Sequence, residues 1–69
     1  MNWDEIKGNW NELKGKAREK WAELTDDDMD QIQGEREQLV GKLQQRYGWG
    51  KDEAERSADE LAETVSRNT

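Results

Sequence analysis

The chain has 69 residues, 41% of them charged and 30% hydrophobic, and its formal net charge is −6. This length fits one domain, and the apolar share lies well below the roughly 45–50% of ordinary globular domains, so the core must be thin. The sequence contains neither Cys nor His. Disulfides, thiolate nucleophiles, imidazole bases and most transition-metal sites are therefore excluded, and we expect neither an enzyme nor a bound cofactor. No segment resembles a secretory signal or could span a membrane, so we expect a cytoplasmic protein without membrane contact.

An internal repeat dominates the sequence. A shift of 26 positions aligns residues 3–25 with residues 29–51, and identical residues then coincide at Asp4 and Asp30, Ile6 and Ile32, Gly8 and Gly34, Leu13 and Leu39, Gly15 and Gly41, and Lys16 and Lys42. Neither copy is long enough to hide its own apolar face, so we expect the two copies to bury these faces against each other. Ile6 and Ile32, and likewise Leu13 and Leu39, are predicted to be buried and related by an approximate twofold axis.

Apolar residues recur at helical spacing in both copies and in the C-terminal segment. The stripes comprise Trp3, Ile6, Trp10, Leu13 and Ala17 in the first copy, Met29, Ile32, Arg36, Leu39 and Leu43 in the second, and Ala54, Ala58, Leu61, Ala62 and Val65 in residues 52–66. Spacings of three and four residues indicate one face of an α-helix. The prediction is an all-α domain over residues 1–69, a small bundle of four to five helices built from a duplicated helical hairpin.

Arg36 is the one polar residue in the second stripe, at the position where the first copy has Trp10. Its aliphatic stem is expected to cover apolar surface, or its guanidinium to stack on an aromatic ring.

Several residue pairs have the spacing of a capping box at a helix start. They are Asn2 with Glu5, Asp28 with Gln31, and Asp52 with Glu55, and Thr25 with Asp28 is an alternative start one turn earlier. Gly48 is placed to end the second copy in a left-handed cap.

The remaining glycines leave two arrangements open. Gly8 and Gly34 can each end a short helix, with Asn9 and Glu12 forming a capping box for the next helix, or each copy can be one continuous helix. We favour the breaks. Gly15 and Gly41 are expected to remain helical, because the apolar periodicity runs through them.

The first charged run consists of Asp26, Asp27, Asp28 and Asp30. Its spacing is not that of a calcium loop. Carboxylates favour the free amides and the dipole of a helix N-terminus, so a helix start is the preferred interpretation.

The second charged run consists of Lys14, Lys16, Arg18 and Lys20, and it lies between two tryptophans. Basic residues interleaved with aromatic ones can bind phosphates and stack bases. Alternate residues spread around a helix, however, and residues 1–25 carry five basic and five acidic residues. A solvated helix face is therefore the preferred interpretation, and nucleic-acid binding is not expected.

Trp49 stands out among the four tryptophans because it lies between Gly48 and Gly50. Buried and interfacial tryptophans are both common, so it is expected either to cap the core or to face a partner. The possible partner contacts are Trp49, Lys14, Lys16, Arg18 and Lys20.

Four segments carry a resemblance to a known family. They are residues 8–10 (GNW), 14–21 (KGKAREKW), 24–28 (LTDDD) and 32–48 (IxGxRxQLVGKLQxRYG). Over about residues 2–55 the chain resembles the CsbD-like family of small bacterial stress-response proteins, and the double Gly-Lys spacing is specific to that family. Ala22 departs from the pattern, since relatives often have Gly there.

The resemblance implies an abundant cytoplasmic protein raised in stationary phase or under osmotic and general stress. It also implies a helical fold similar to two crossed hairpins of the SAM-domain-like kind, and no enzymatic residues.

Two hypotheses for function follow. The first is a hydrophilin-like protein that protects other proteins during water loss, consistent with a mean hydropathy of −1.43. The second is a small interaction module that binds a protein or nucleic-acid partner, by analogy of fold alone. An interaction module should expose a contiguous apolar patch or a field of one sign, and a protective protein should not. A monomer is favoured, and protein partners, if any, cannot be named from the sequence.

Overall fold

Five α-helices make up the regular secondary structure of the residues described. The computed structural model describes residues 2–67 and the side chains of residues 2–66. The helices are α1 (Trp3–Gly8), α2 (Trp10–Lys20), α3 (Asp26–Ile32), α4 (Arg36–Tyr47) and α5 (Lys51–Arg67). The Cα radius of gyration is 10.8 Å, close to the roughly 11 Å expected for a folded chain of this length. The predicted all-α class is confirmed.

Two capping boxes begin the short helices. At α1, the Asn2 side chain accepts a hydrogen bond of 2.9 Å from the Glu5 amide, and the Glu5 carboxylate accepts one from the Asn2 amide. At α3, Thr25 and Asp28 form the same reciprocal pair, with both bonds at 3.1 Å. The predicted box of Asp28 with Gln31 is wrong, because the Thr25 hydroxyl already accepts from the Asp28 amide and starts α3 one turn earlier.

The C-terminal helix begins after a turn containing two glycines. Gly48 adopts a left-handed conformation (φ 70°), and its amide donates to the Gln44 carbonyl, which confirms the predicted cap of α4. α5 begins at Lys51, and the Gly50 carbonyl accepts the hydrogen bond from the Ala54 amide. Asp52 therefore lies within the first turn of α5, where it favours the helix dipole, and is not the predicted cap.

The breaks at Gly8 and Gly34 are confirmed. α1 ends at Gly8, and α3 ends before two left-handed residues, Gln33 (φ 52°) and Gly34 (φ 77°). Gly15 and Gly41 lie inside α2 and α4, as predicted.

Asn9 does not form the predicted capping box with Glu12. Its side-chain amide donates instead to the Glu5 carbonyl at 3.0 Å. Asn9 therefore closes α1, and α2 begins without a side-chain cap.

All five helices contribute to one apolar core. The buried hydrophobic residues are Ile6, Trp10, Leu13, Ala17, Trp21, Leu24, Met29, Ile32, Leu39, Val40, Leu43, Ala54, Ala58, Leu61 and Val65. The predicted burial of Ile6, Ile32, Leu13 and Leu39 is confirmed. Their twofold relation, and with it the SAM-domain-like arrangement, stays a prediction.

Two of the contacts between the repeat copies fix the ends of helices. The Trp10 indole Nε1 donates a 2.8 Å hydrogen bond to the Met29 carbonyl in α3. Gly34 packs against the end of α1 so closely that a Cβ there would lie 2.7 Å from the Cα of Lys7. The first turn of α2 and the turn before α4 are therefore fixed to the opposite copy.

Candidate functional site

The basic run on α2 is divided between two neighbouring helices. Lys14 pairs with Asp30 of α3 at 2.8 Å, and Arg18 pairs with Asp26 at the start of the same helix. Lys20 lies 3.3 Å from Glu60 of α5. Three of the four cations thus face carboxylates and do not form a stripe of one sign, as the spread of alternate helix positions predicts.

Lys16 has no ion pair within residues 2–66, and it lines an open groove of about 350 Å³ between α2 and α5. Glu19, Lys20, Leu61 and Thr64 complete the lining. Pockets for small ligands are mostly apolar with a few convergent polar groups. The sides of this groove carry charges of both signs, so the groove does not have the mostly apolar lining of a small-ligand pocket.

Trp49 packs at the edge of the core. Its ring stacks on that of Tyr47, with centroids 4.4 Å apart and planes 13° apart, and both rings are half-buried against the core cluster. The Tyr47 hydroxyl accepts a 3.3 Å hydrogen bond from the Glu23 amide. In this geometry Trp49 covers the edge of the apolar core. Its contact with a partner stays a prediction.

Asp28 is the centre of a charge cluster that sequence reasoning missed. Its side chain is only 3% exposed. Arg46 of α4 donates two hydrogen bonds to it, from Nε at 2.9 Å and from a terminal nitrogen at 3.1 Å, and Lys42 lies at 3.5 Å. The Arg46 hydrogen bonds, helped by the Thr25 amide, hold the pKa of Asp28 well below its usual range despite its burial. The cluster ties the start of α3 to the last two turns of α4.

Arg36 ties the start of α4 to α5. Its Nε and one terminal nitrogen donate to the two carboxylate oxygens of Asp59 at 2.9 and 3.1 Å, and the other terminal nitrogen donates to Glu55 at 3.5 Å. Hydrogen bonding to Arg36 lowers the pKa of Asp59, and the same pair raises the pKa of Arg36. The structure thus gives Arg36 carboxylate partners that the sequence analysis did not predict, and the expected contact with apolar surface or an aromatic ring stays a prediction.

A buried indole provides another contact with α5. Trp21 is 1% exposed, and its Nε1 donates a 2.8 Å hydrogen bond to the Ser57 hydroxyl. The ammonium of Lys20 lies 5.7 Å from the centroid of the same ring, within the range of a cation–π contact. The contacts of the tryptophans and of the charge clusters therefore hold neighbouring helices together.

Comparison with known proteins places the chain in a family. The profile of the CsbD-like family matches residues 4–56. The chain is 54% identical to the UPF0337 protein YjbJ of Escherichia coli K12 over 68 residues, which is 99% of this chain and 94% of that protein. It is 59% identical to the YjbJ protein of Escherichia coli O6:H1 over 86% of each chain. It is 51% identical to the UPF0337 protein PA4738 of Pseudomonas aeruginosa, over 94% of this chain and all of that protein. The chain therefore belongs to the CsbD-like family.

Proposed function

We propose that this protein is a non-enzymatic member of the general stress response of the cytoplasm, and that it protects other proteins as a folded, strongly hydrated particle during water loss. One observation carries the proposal: within residues 2–66, no large hydrophobic side chain is exposed. Apolar patches of several hundred Å² mark sites of protein association. A surface without them can lie beside unfolding proteins without joining their aggregates.

The charges of the surface support the same function. Seven basic side chains lie in ion pairs: Lys7, Lys14, Arg18, Lys20, Arg36, Lys42 and Arg46. The acidic residues outnumber the basic ones by 17 to 11, so the net charge is negative, while these seven cations face carboxylates. Net charge of one sign keeps a protein soluble when it is crowded. A shell of this kind separates neighbouring macromolecules without binding any of them strongly.

The alternative of an interaction module lacks such support. No large exposed hydrophobic side chain within residues 2–66 offers a protein-binding patch, and the basic run that suggested a nucleic-acid contact is paired with Asp30, Asp26 and Glu60. We therefore prefer the protective function.

The test is to dry and rehydrate lactate dehydrogenase with increasing amounts of this protein and to measure the remaining activity and turbidity. The expected result is activity that rises with the mass of protective protein. The matched control is the double variant Lys16→Glu with Glu19→Lys, which exchanges two exposed charges that have no ion pair within residues 2–66 and keeps the net charge at −6. It should protect as well as the original protein. If it folds normally but no longer protects, a defined contact must exist and the proposal is wrong.

A second variant tests whether hydrated charge is the cause. Four exposed acidic residues that have no ion pair within residues 2–66 can be made neutral together: Glu12→Gln, Glu23→Gln, Asp27→Asn and Glu37→Gln. The net charge then rises from −6 to −2, and we expect weaker protection at equal mass. Undiminished protection would contradict the role given to net charge.

A further inference from the structure

α4 and α5 form an antiparallel hairpin whose turn consists of residues 48–50. Arg36 at the start of α4 meets Asp59 in the middle of α5, so the second helix runs back along the first. Gly48 makes this reversal possible through its left-handed conformation (φ 70°). One short turn therefore decides whether α5 docks on its own chain, an arrangement called here the closed form.

The buried faces of α4 and α5 would coincide if the two helices were continuous. Leu43 of α4 is 11 positions from Ala54 and 18 positions from Leu61 in α5. An α-helix has 3.6 residues per turn, so these separations are close to three turns and to five turns. All three side chains are buried in the closed form. A continuous helix over residues 36–67 would therefore carry both buried faces on one side.

Two such helices from two copies of the chain can remake the contacts of the hairpin. When they run antiparallel, each α5 lies on the α4 of the other copy in the orientation that it has in the closed form. The hydrogen bonds of Arg36 with Asp59 and of Trp21 with Ser57 would then join two chains instead of one. No new interface is needed, which makes the exchange of an element a low-cost route to a dimer.

We infer that this protein has a second copy of itself as a partner, and that the two copies exchange α5 as an antiparallel dimer when the protein becomes concentrated. The glycines of the turn oppose the exchange in dilute solution, because glycine in a helix interior lowers the equilibrium constant about four- to fivefold relative to alanine. The stacking of Trp49 on Tyr47 opposes it too, since residues two apart do not face each other on a helix.

Loss of water acts in the opposite direction. It raises the concentration of the protein, and mass action then favours the dimer. The exchange requires α5 to leave the core only transiently, so it is compatible with a protein that is almost fully folded at all times. It goes beyond the proposed function and does not depend on it.

The test uses two variants that are mismatched alone and matched together. Arg36→Glu places a like charge beside Asp59 and Glu55, and Asp59→Arg places one beside Arg36. In an exchanged dimer of the two variants, the unchanged Asp59 of one meets the unchanged Arg36 of the other, and the two introduced charges meet each other. In concentrated solution the mixture should reach dimer mass by light scattering and gain helical circular dichroism relative to either variant alone.

Two controls distinguish exchange from ordinary association. The double variant Arg36→Glu with Asp59→Arg restores the pair in reversed order within one chain, so it should fold as a monomer in dilute solution. A mixture of either single variant with the original protein restores only one of the two docking sites and should form much less dimer. A mixture of the two single variants that stays at monomer mass, while the double variant folds, would overturn the inference.

Gly48→Ala shifts the equilibrium from within the turn. Alanine is strained in the left-handed conformation and favoured in a continuous helix, by about fivefold for each effect in each chain, so the dimerisation constant should rise by about two to three orders of magnitude. Gly8→Ala is the matched control, because Gly8 also ends a helix and a Cβ at either glycine would meet nothing within 4 Å. It should leave the mass unchanged. Gly48→Ala protein that is still monomeric in concentrated solution would contradict the exchange.

Discussion

The Asp28 carboxylate combines two roles at the residue scale: it accepts the Thr25 amide in the capping box of α3, and it accepts the two hydrogen bonds of Arg46. Both roles use its carboxylate oxygens, and the Arg46 pair is strongest when the carboxylate is ionised. Sequence reasoning identified the acidic run as a helix start but did not find the ion pair of Asp28 with Arg46, here called the clamp. The two residues are 18 positions apart, and no periodic pattern connects them.

The clamp predicts a specific dependence of stability on pH. The pKa of Asp28 is lower in the folded than in the unfolded state, so its contribution is complete above the unfolded value of about 4 and is lost as the pH falls below that value. Asp28→Asn should lower the free energy of unfolding by about 1.5–3 kcal/mol near neutral pH, the value of a hydrogen bond to a charged group. The variant and the original protein should converge as the pH falls below about 4.

Urea titrations over this pH range provide the measurement, with Asp27→Asn as the control. Asp27 is exposed in the same helical turn and has no ion pair within residues 2–66. Parallel stability curves for Asp28→Asn and the original protein would show that the clamp does not contribute.

Gly34→Ala tests the close contact between the two copies. Alanine at φ 77° is strained, and its Cβ would meet the backbone of Lys7 at 2.7 Å, which cannot move without shifting α1. We expect a loss of stability of more than about 1 kcal/mol, the usual limit for a purely conformational glycine effect. A calorimetric melting temperature equal to or above that of the original protein would contradict the break before α4.

α4 is the central element of the fold, since it is tied to α3 by Arg46 and to α5 by Arg36. Leu39 lies in its first half and is completely buried. Leu39→Ala should cost about 2–5 kcal/mol, which is comparable to the whole stability expected of so small a core. We therefore expect a largely unfolded protein at growth temperature by circular dichroism.

Gln38→Ala is the control for that prediction, because Gln38 is the exposed neighbour of Leu39 on α4. It should melt like the original protein. A cooperative melt of Leu39→Ala within a few degrees of the control would mean that Leu39 contributes little to the core.

Elements were predictable from the sequence where the signal is local. The spacing of Ile6, Leu13 and Leu39 identified buried helix faces, and the Gly34 break followed from the repeat. Helix starts were less certain, because Thr25 and Asp28 both have capping chemistry and only packing selects between them. The pairing of Arg36 with Asp59 spans 23 positions and depends on how α5 docks, so no local pattern could reveal it.

The distribution of charge over the whole molecule predicts weak or absent binding of nucleic acid. Counterion release requires clustered cations that face a phosphate backbone. The cations of α2 are paired across two helices, and the total charge is −6. At physiological salt we expect no titratable shift with duplex DNA, and thus affinity weaker than the roughly 10⁻⁴–10⁻⁶ M of non-specific binders.

Fluorescence anisotropy of labelled DNA provides the measurement, with Lys16→Glu as the comparison because Lys16 has no ion pair within residues 2–66. Salt-sensitive micromolar binding that disappears in Lys16→Glu would overturn the protective function in favour of the interaction module.

The hydrogen bond between Trp21 and Ser57 gives the protein an optical signal of its own. An indole in an apolar, water-free environment emits at shorter wavelengths than one in water, and Trp21 is 1% exposed beneath α5. Departure of α5 from the core would hydrate this ring and shift its emission to the red, while Trp10 remains bonded to Met29 in the repeat core. Intrinsic fluorescence can therefore follow the seating of α5 in unlabelled protein, in solution and through a cycle of drying.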